Sequence, residues 1–502
     1  MENKMKKTLS FLLMLLLLSG SFSACSGDQP SVTTPAASDS TEATTPDVTE
    51  ELPTLSEKTY DGRGFTLLTA FGMAYSDFDQ EQNTAGYDLV NEQIFRRNSL
   101  IEEKYDIKLE TVYEKGTSFG NGPGYRRLSE DYIVSDCSYD ICEIGIYDAA
   151  QLALSGYLYD LNALPYVDLQ RSWWDQKANE DLMINNIMFY TTGDISFIDN
   201  IATHMVMFNK DMLKEYNLEE SPITLAEQNL WTLDKLTEMV AKVSVDVDGN
   251  DLYDRNDIYG LLTWNDTIIS ALASARERVA TIGTDGRISL TLYNDRTVSL
   301  FDKYMEMNNT HNVFNYQTKT TDWDVCRKEM FDNNRALFYF TLFTTVPKHL
   351  DSSVRFGIVP YPKLDEQQAD YGHYVSATHA CVVAVEQFVT DPECTGTILE
   401  DMAYIGKSKI TPAYYEQTLK ARLMPDEESY GMLDIIFASR VFDVGIYYKI
   451  GGAQTYAANL NGIMTTGNNN FASRYQFNEK AAQTMIDNIN KQFEEAKVTG
   501  NS

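Results

Sequence analysis

The sequence predicts an α/β protein of more than one domain, on three observations. Its 502 residues exceed what a single core usually holds, so two domains are expected. The first ordered stretch reads strand, loop, helix, strand. Phe65–Thr69 is apolar, Asp88–Tyr105 places Val90, Ile94, Phe95 and Ile101 near helical spacing, and Ile107–Tyr113 is the next strand. The stretch Trp173–Leu213 then carries two more strands, Ile187–Thr192 and His204–Phe208, and enters a helix at Asn209–Leu213. Between those strands, Gly193 and Asp194 let the chain change direction.

The N-terminus reads as an export signal. Lys4, Lys6 and Lys7 precede the apolar run Phe11–Leu18, which is too short to span a bilayer. Phe22-Ser23-Ala24-Cys25 resembles a bacterial lipobox, although Phe stands where Leu is usual. That resemblance implies a signal peptide over 1–24 and a lipidated (palmitate-bearing) N-terminus at Cys25. Residues 25–56 are rich in Ser, Thr, Pro and acidic side chains, too polar to offset the entropy of ordering, and read as a tether. The formal charge of −32 argues against a nucleic-acid-binding surface. Five cysteines follow Cys25, an odd number that excludes complete internal pairing, and free buried thiols are expected. None shows zinc-ligand spacing with histidine.

Residues further along resemble the bacterial extracellular solute-binding proteins, family 1, the group that includes maltose-binding protein. The resemblance rests on the order and spacing of short segments. They are DLVNEQIFRRNSLIEEKYDIKLE, the SGYLYDL that follows the strand Tyr139–Ile146, and Phe208-Asn209-Lys210-Asp211-Met212-Leu213. Asp257-Ile258-Tyr259-Gly260, Met330-Phe331 with Arg335–Phe340, and FGIVPYP (Phe356–Pro362) complete the set. It covers roughly residues 60 to 490. It implies a two-lobed periplasmic-binding-protein-like fold (type II), two α/β lobes joined by hinge strands, with a helical C-terminal third. The implied division is lobe I over 57–193, lobe II over 194–375, a return to lobe I over 376–440, and C-terminal helices over 441–502, mainly lobe II. Hinge closure is placed at Thr192–Ile195 and Tyr374–Thr378.

Ligands of open α/β sheets bind at strand carboxyl ends, which makes Tyr147 and Asp148 site candidates beside the alternative of a surface turn. Trp173, Trp174, Trp264, Phe343, Tyr147 and Tyr374 supply aromatic faces for the apolar side of a sugar, and Asp148, Asp194 and Asn265 supply acceptors. Core packing is the competing account of each ring. Adjacent residues on a strand point to opposite faces, so at most one of Trp173 and Trp174 is expected to face a cleft. Phe343 takes the place of an aromatic that the family carries in a Gly-x-Trp turn, which is absent here.

The loop Asp246–Asp257 spaces oxygen ligands as a calcium loop does: Asp246, Asp248, Asn250, Asp254 and Asp257, with the carbonyl of Leu252. Gly249 and Asp251 depart from that pattern, and Asp257 stands where Glu is usual. A structural Ca²⁺ and a merely acidic turn are both open, and no other cofactor is expected.

No nucleophile, phosphate-loop or metalloprotease motif is present, and an enzyme, a glycosidase above all, is the least favoured reading. The expectation is a lipid-anchored extracellular binding protein that passes a sugar, an oligosaccharide first, to the transmembrane subunits of an ABC permease. The family expectation is a monomer. A peptide carrier and a surface sensor or adhesin are the alternatives.

Overall fold

The computed structural model describes residues 51–500, apart from 74, 80, 82, 84–86 and 424–426. The expected signal peptide, Cys25 and almost all of the tether lie outside the described residues.

The first sheet is built from β1 (Arg63–Phe71), β2 (Ile107–Lys115), β3 (Ile141–Gly145), β4 (Tyr190–Thr191) and, from much later in the chain, β10 (Cys381–Ala384). Its order is β2-β1-β3-β10-β4, with β1, β2 and β3 parallel and β10 antiparallel to both neighbours. Helices α1 (Asp88–Tyr105) and α2 (Pro123–Val134) connect its parallel strands, and α3 (Ile146–Ser155) follows β3 directly. The apolar stripe of α1 explains its position: Val90, Ile94 and Ile101 are buried.

The second sheet takes β5 (His204–Asn209), β6 (Ile258–Thr263), β7 (Val313–Asn315), β8 (Ala336–Leu342) and β9 (Phe356–Val359), in the order β7-β6-β8-β5-β9. Strands β6, β7 and β8 are parallel, and β5 runs against both β8 and β9. Every residue of β8 is buried, as a near-continuous apolar run on a central strand requires. Helices α4 (Thr267–Ser274), α5 (Asp295–Asn308) and α6 (Trp323–Asp332) cover this sheet. Asn294 caps α5 through a reciprocal pair with Thr297, which fixes where that helix starts.

The chain passes between the sheets twice, from Thr191 to His204 and from Val359 to Cys381. A buried polar group ties both crossings to the first sheet. Glu143 of β3 accepts from Thr69 Oγ1 (2.6 Å), from the Asp77 N–H (3.1 Å) and from the Cys381 thiol (3.1 Å). Asp77 Oδ1 accepts the Phe197 N–H at 2.8 Å, and the fully buried Arg97 donates to the Ile195 carbonyl at 3.1 Å. Burial and the neighbouring Glu143 push the Asp77 carboxyl well above the carboxylate range. The five cysteines after Cys25 are free, four of them buried.

From Pro392 onward the chain is mainly helical: α7 (Pro392–Pro412), α8 (Tyr430–Ala438), α9 (Tyr456–Thr466) and α10 (Phe471–Gly500). Helix α10 reaches both halves. Asn490 exchanges hydrogen bonds with the backbone of Ile288, and Gln492 donates to the Leu154 carbonyl. Apolar packing also crosses between the sheets, since one buried cluster joins Phe71, Tyr87 and Ile94 to Phe197, Met205 and Phe343. Among the described residues no helix is long and apolar enough to cross a membrane.

Candidate functional site

Parallel strands carry their connections out of the carboxyl edge, so ligand-contacting loops collect there. In the first sheet that edge gives Tyr147, in the first turn of α3, directly after β3. Its ring lies 6.0 Å from Phe119, which is 51% exposed in the loop after β2, and 5.9 Å from the Lys449 ammonium. In the second sheet the edge gives Trp264, Asn265 and Asp266 after β6, with Asn315 ending β7. Asp266 lies within electrostatic reach of both Tyr147 and Tyr374, so the two edges and the second crossing converge on one region.

Trp264 stacks on His204, with parallel rings 5.7 Å apart, and meets His379 edge-on at 6.1 Å. Its indole Nε1 and His204 Nε2 are buried and have no hydrogen-bond partner among the described residues. Such groups are costly unless something satisfies them. His379 is half-buried and shares Nδ1 with the Ser376 and Thr378 hydroxyls, both at 2.9 Å. Burial, helped by Arg327 and Lys348, pushes it down to about 4, so it is a neutral donor and acceptor at physiological pH. Asp266 takes one hydrogen bond, from Asn461 Nδ2 at 2.6 Å, and has no ion pair among the described residues. Burial lifts its carboxyl to about 6. Asn265 is held in place by Asn315 Nδ2 (3.0 Å) and by Gln317, which accepts its backbone N–H. Tyr374 is buried, 5.4 Å from His204, with its hydroxyl accepting the Ala377 N–H.

The structure thus brings together Tyr147, Trp264, Asn265 and Tyr374 and turns the other expected residues elsewhere. Asp148 is buried and consumed: its carboxylate accepts N–H bonds from Gly120 (2.8 Å), Gly122 (3.0 Å) and Tyr125 (3.4 Å), which folds the loop after β2 onto α3. Trp173 and Trp174 are not on a strand, and both indoles point into the interior. They donate to the two oxygens of Glu400 on α7, at 3.1 and 2.9 Å. Phe343 stacks on Phe437 of α8, with rings 5.0 Å apart, and is 1% exposed. Asp194 sits on the first crossing, where its carboxylate accepts from Thr411 at 2.5 Å. Sequence reasoning missed Phe119, His204, Asp266 and His379. Phe119 had a legible signal, an aromatic in the Gly-rich loop that follows β2; the others depend on which strand ends meet.

In the acidic loop, the carboxylates of Asp246, Asp248 and Asp257 converge within 4.8 Å of one another. Asp254 does not join them; its carboxylate and the Asn250 side-chain oxygen accept the backbone N–H groups of Asn256 and Leu252, both at 2.7 Å. Leu252 is 69% exposed. Asp257 is buried and also caps the loop, accepting the N–H groups of Val247 and Asp254. Three hard oxygen donors at this separation fit one cation of the Ca²⁺ type.

No protein-family model and no curated protein matches the sequence. Solved structures do match in fold. The galacto-N-biose-/lacto-N-biose I-binding protein of an ABC transporter from Bifidobacterium longum superposes with a TM-score of 0.59 at 12% identity, covering 87% of this chain and 99% of that one. A cyclo/maltodextrin-binding protein complexed with maltotetraose gives 0.53 at 12% identity, over 87% and 97%. The ABC substrate-binding protein Lmo0181 from Listeria monocytogenes, in complex with cycloalternan, gives 0.52 at 12% identity, over 86% and 100%. The chain has the two-lobed α/β fold of the sugar-binding, maltose-binding-protein-like solute-binding proteins of ABC transporters.

Proposed function

We propose that this protein is a lipid-anchored extracellular solute-binding protein that captures a carbohydrate, an oligosaccharide in the first instance, and delivers it to an ABC permease. The observation that carries this reading is that Tyr147, Trp264 and Asp266, at the carboxyl edges of two sheets, lie within electrostatic or ring-contact reach of one another and of His379 on the second crossing. Aromatic rings cover the C–H faces of a sugar, while a carboxylate, an amide and a neutral imidazole exchange hydrogen bonds with its hydroxyls. The unpartnered Trp264 Nε1 and the singly bonded Asp266 are polar groups that a hydroxylated ligand would satisfy. The likeness to structures holding lacto-N-biose, maltotetraose and cycloalternan supports the same ligand class. Binding and hinge closure, not bond cleavage, is the work assigned to the site. Closure at the two crossings would change the surface that the permease reads.

Calorimetry against a panel of neutral oligosaccharides and of peptides tests the reading. Saccharide binding that W264A weakens at least about tenfold supports it, a loss typical of a buried aromatic anchor. Heat with peptides alone would refute the ligand class. We also propose that Asp246, Asp248 and Asp257 hold one structural Ca²⁺. A melting temperature that is the same in Ca²⁺ and in chelator would reject that site.

A further inference from the structure

A hollow of about 650 Å³ lies against the first crossing; Trp173, Trp174 and Asp194 line it, and none of Tyr147, Trp264, Asp266, Tyr374 and His379 does. Gly193 forms part of its wall with backbone alone, because a Cβ there would meet the Trp173 carbonyl oxygen at 2.4 Å. Two wall residues, Tyr414 and Tyr415, belong to a π-helical run, Ala413–Leu423, that continues α7. Such runs are uncommon and concentrate at functional sites.

The polar groups of the hollow are unevenly satisfied. Arg440 spends its terminal nitrogens inside the wall: Nη1 bonds Asp199 (3.0 Å) and Asn200 (2.7 Å), and Nη2 bonds Asp175. The Asp194 carboxylate accepts from the Thr411 hydroxyl, with Lys407 and Arg440 within electrostatic reach, and the Asp434 carboxylate accepts from the Tyr415 hydroxyl. Two polar atoms of the wall have no hydrogen-bond partner among the described residues, the Tyr414 hydroxyl and Arg440 Nε, and Tyr414 is 2% exposed. Asp194 and Asp434, in a wall of four aspartates against the two cations Arg440 and Lys177, disfavour an anion. They and the phenol oxygen accept from an ammonium, Arg440 Nε donates to a hydroxyl oxygen, and the Tyr415 and Phe437 rings receive an apolar face.

We propose that this hollow is a second binding site, one that takes a small hydroxylated amine. An amino sugar and an amino alcohol share that chemistry, and the test separates them. The site does not depend on the cleft reading. Calorimetry on the folded chain would use glucosamine, ethanolamine and glucose as probes, with wild type, W264A, D194N and D434N. Asp434 is exposed, so D434N keeps the comparison interpretable if D194N folds poorly. The expected result is one binding event per chain for glucosamine, for ethanolamine or for both, and none at this site for glucose. The event persists in W264A and weakens at least about tenfold in D434N, the scale of a lost hydrogen bond to a charged group. Absence of binding by both amines, binding that D434N leaves unchanged, or binding that W264A abolishes would overturn the proposal.

Discussion

Asp148 and Asp266 are both aspartates beside strand ends, but their oxygens are committed differently. Asp148 already holds three backbone N–H groups, whereas Asp266 holds one amide. D148A should therefore cost stability, about 2–4 kcal/mol in urea unfolding, because it orphans buried donors. D148N, which keeps an acceptor at Oδ1, should cost much less; equal costs would contradict the account. Buried carboxyls also set a pH response. Burial, with Asp131 nearby, lifts Glu386 to about 9, and burial lifts Glu400 to about 7 and Asp194, Asp199 and Asp443 to about 6. All are raised, so their contribution is complete below the ordinary carboxylate range of about 4 and is lost as pH rises through these values. The melting temperature should fall between pH 5 and pH 9. E386Q, which stays neutral, should lose less over that interval than wild type, and parallel curves would contradict the assignment.

At the scale of elements, the first crossing is packed too closely to accept added atoms. A Cβ at Gly193 meets backbone at 2.4 Å, so G193A should destabilise by about 1–3 kcal/mol in the same unfolding measurement, as overpacking does. An unchanged midpoint would show that the crossing yields. The elements that the sequence made legible are those whose pattern is local. Helix α1 begins and ends where its periodicity and the strand after it indicate. The expected strand Ile187–Thr192 shrinks to Tyr190–Thr191, because Ile184 and Ile187 close a tight turn through Asn185 and Asn186, both at positive φ. Helix α4 stops at Ser274. Arg276 adopts a left-handed conformation and Ala280 starts a strand. The site residues that were misread share another cause. Trp173 and Trp174 look like exposed aromatics until Glu400 is placed between them, and Phe343 until Phe437 lies against it. Those partners are distant in sequence, and one chain carries no trace of the pairing.

For the whole molecule, one apolar cluster spans the two sheets that the two crossings join, so closing or opening about those crossings would trade buried surface. Ligand enclosed at Trp264 and Tyr147 would favour the closed arrangement only by the contacts that it makes there and not when open. The central claim is that a saccharide is held at the meeting strand ends. Titration calorimetry of neutral oligosaccharides into wild type and W264A tests this most directly. The account predicts saturable heat at one site in wild type, weakened at least about tenfold in a W264A protein of unchanged fold. Saccharide binding of equal strength in both proteins would contradict it.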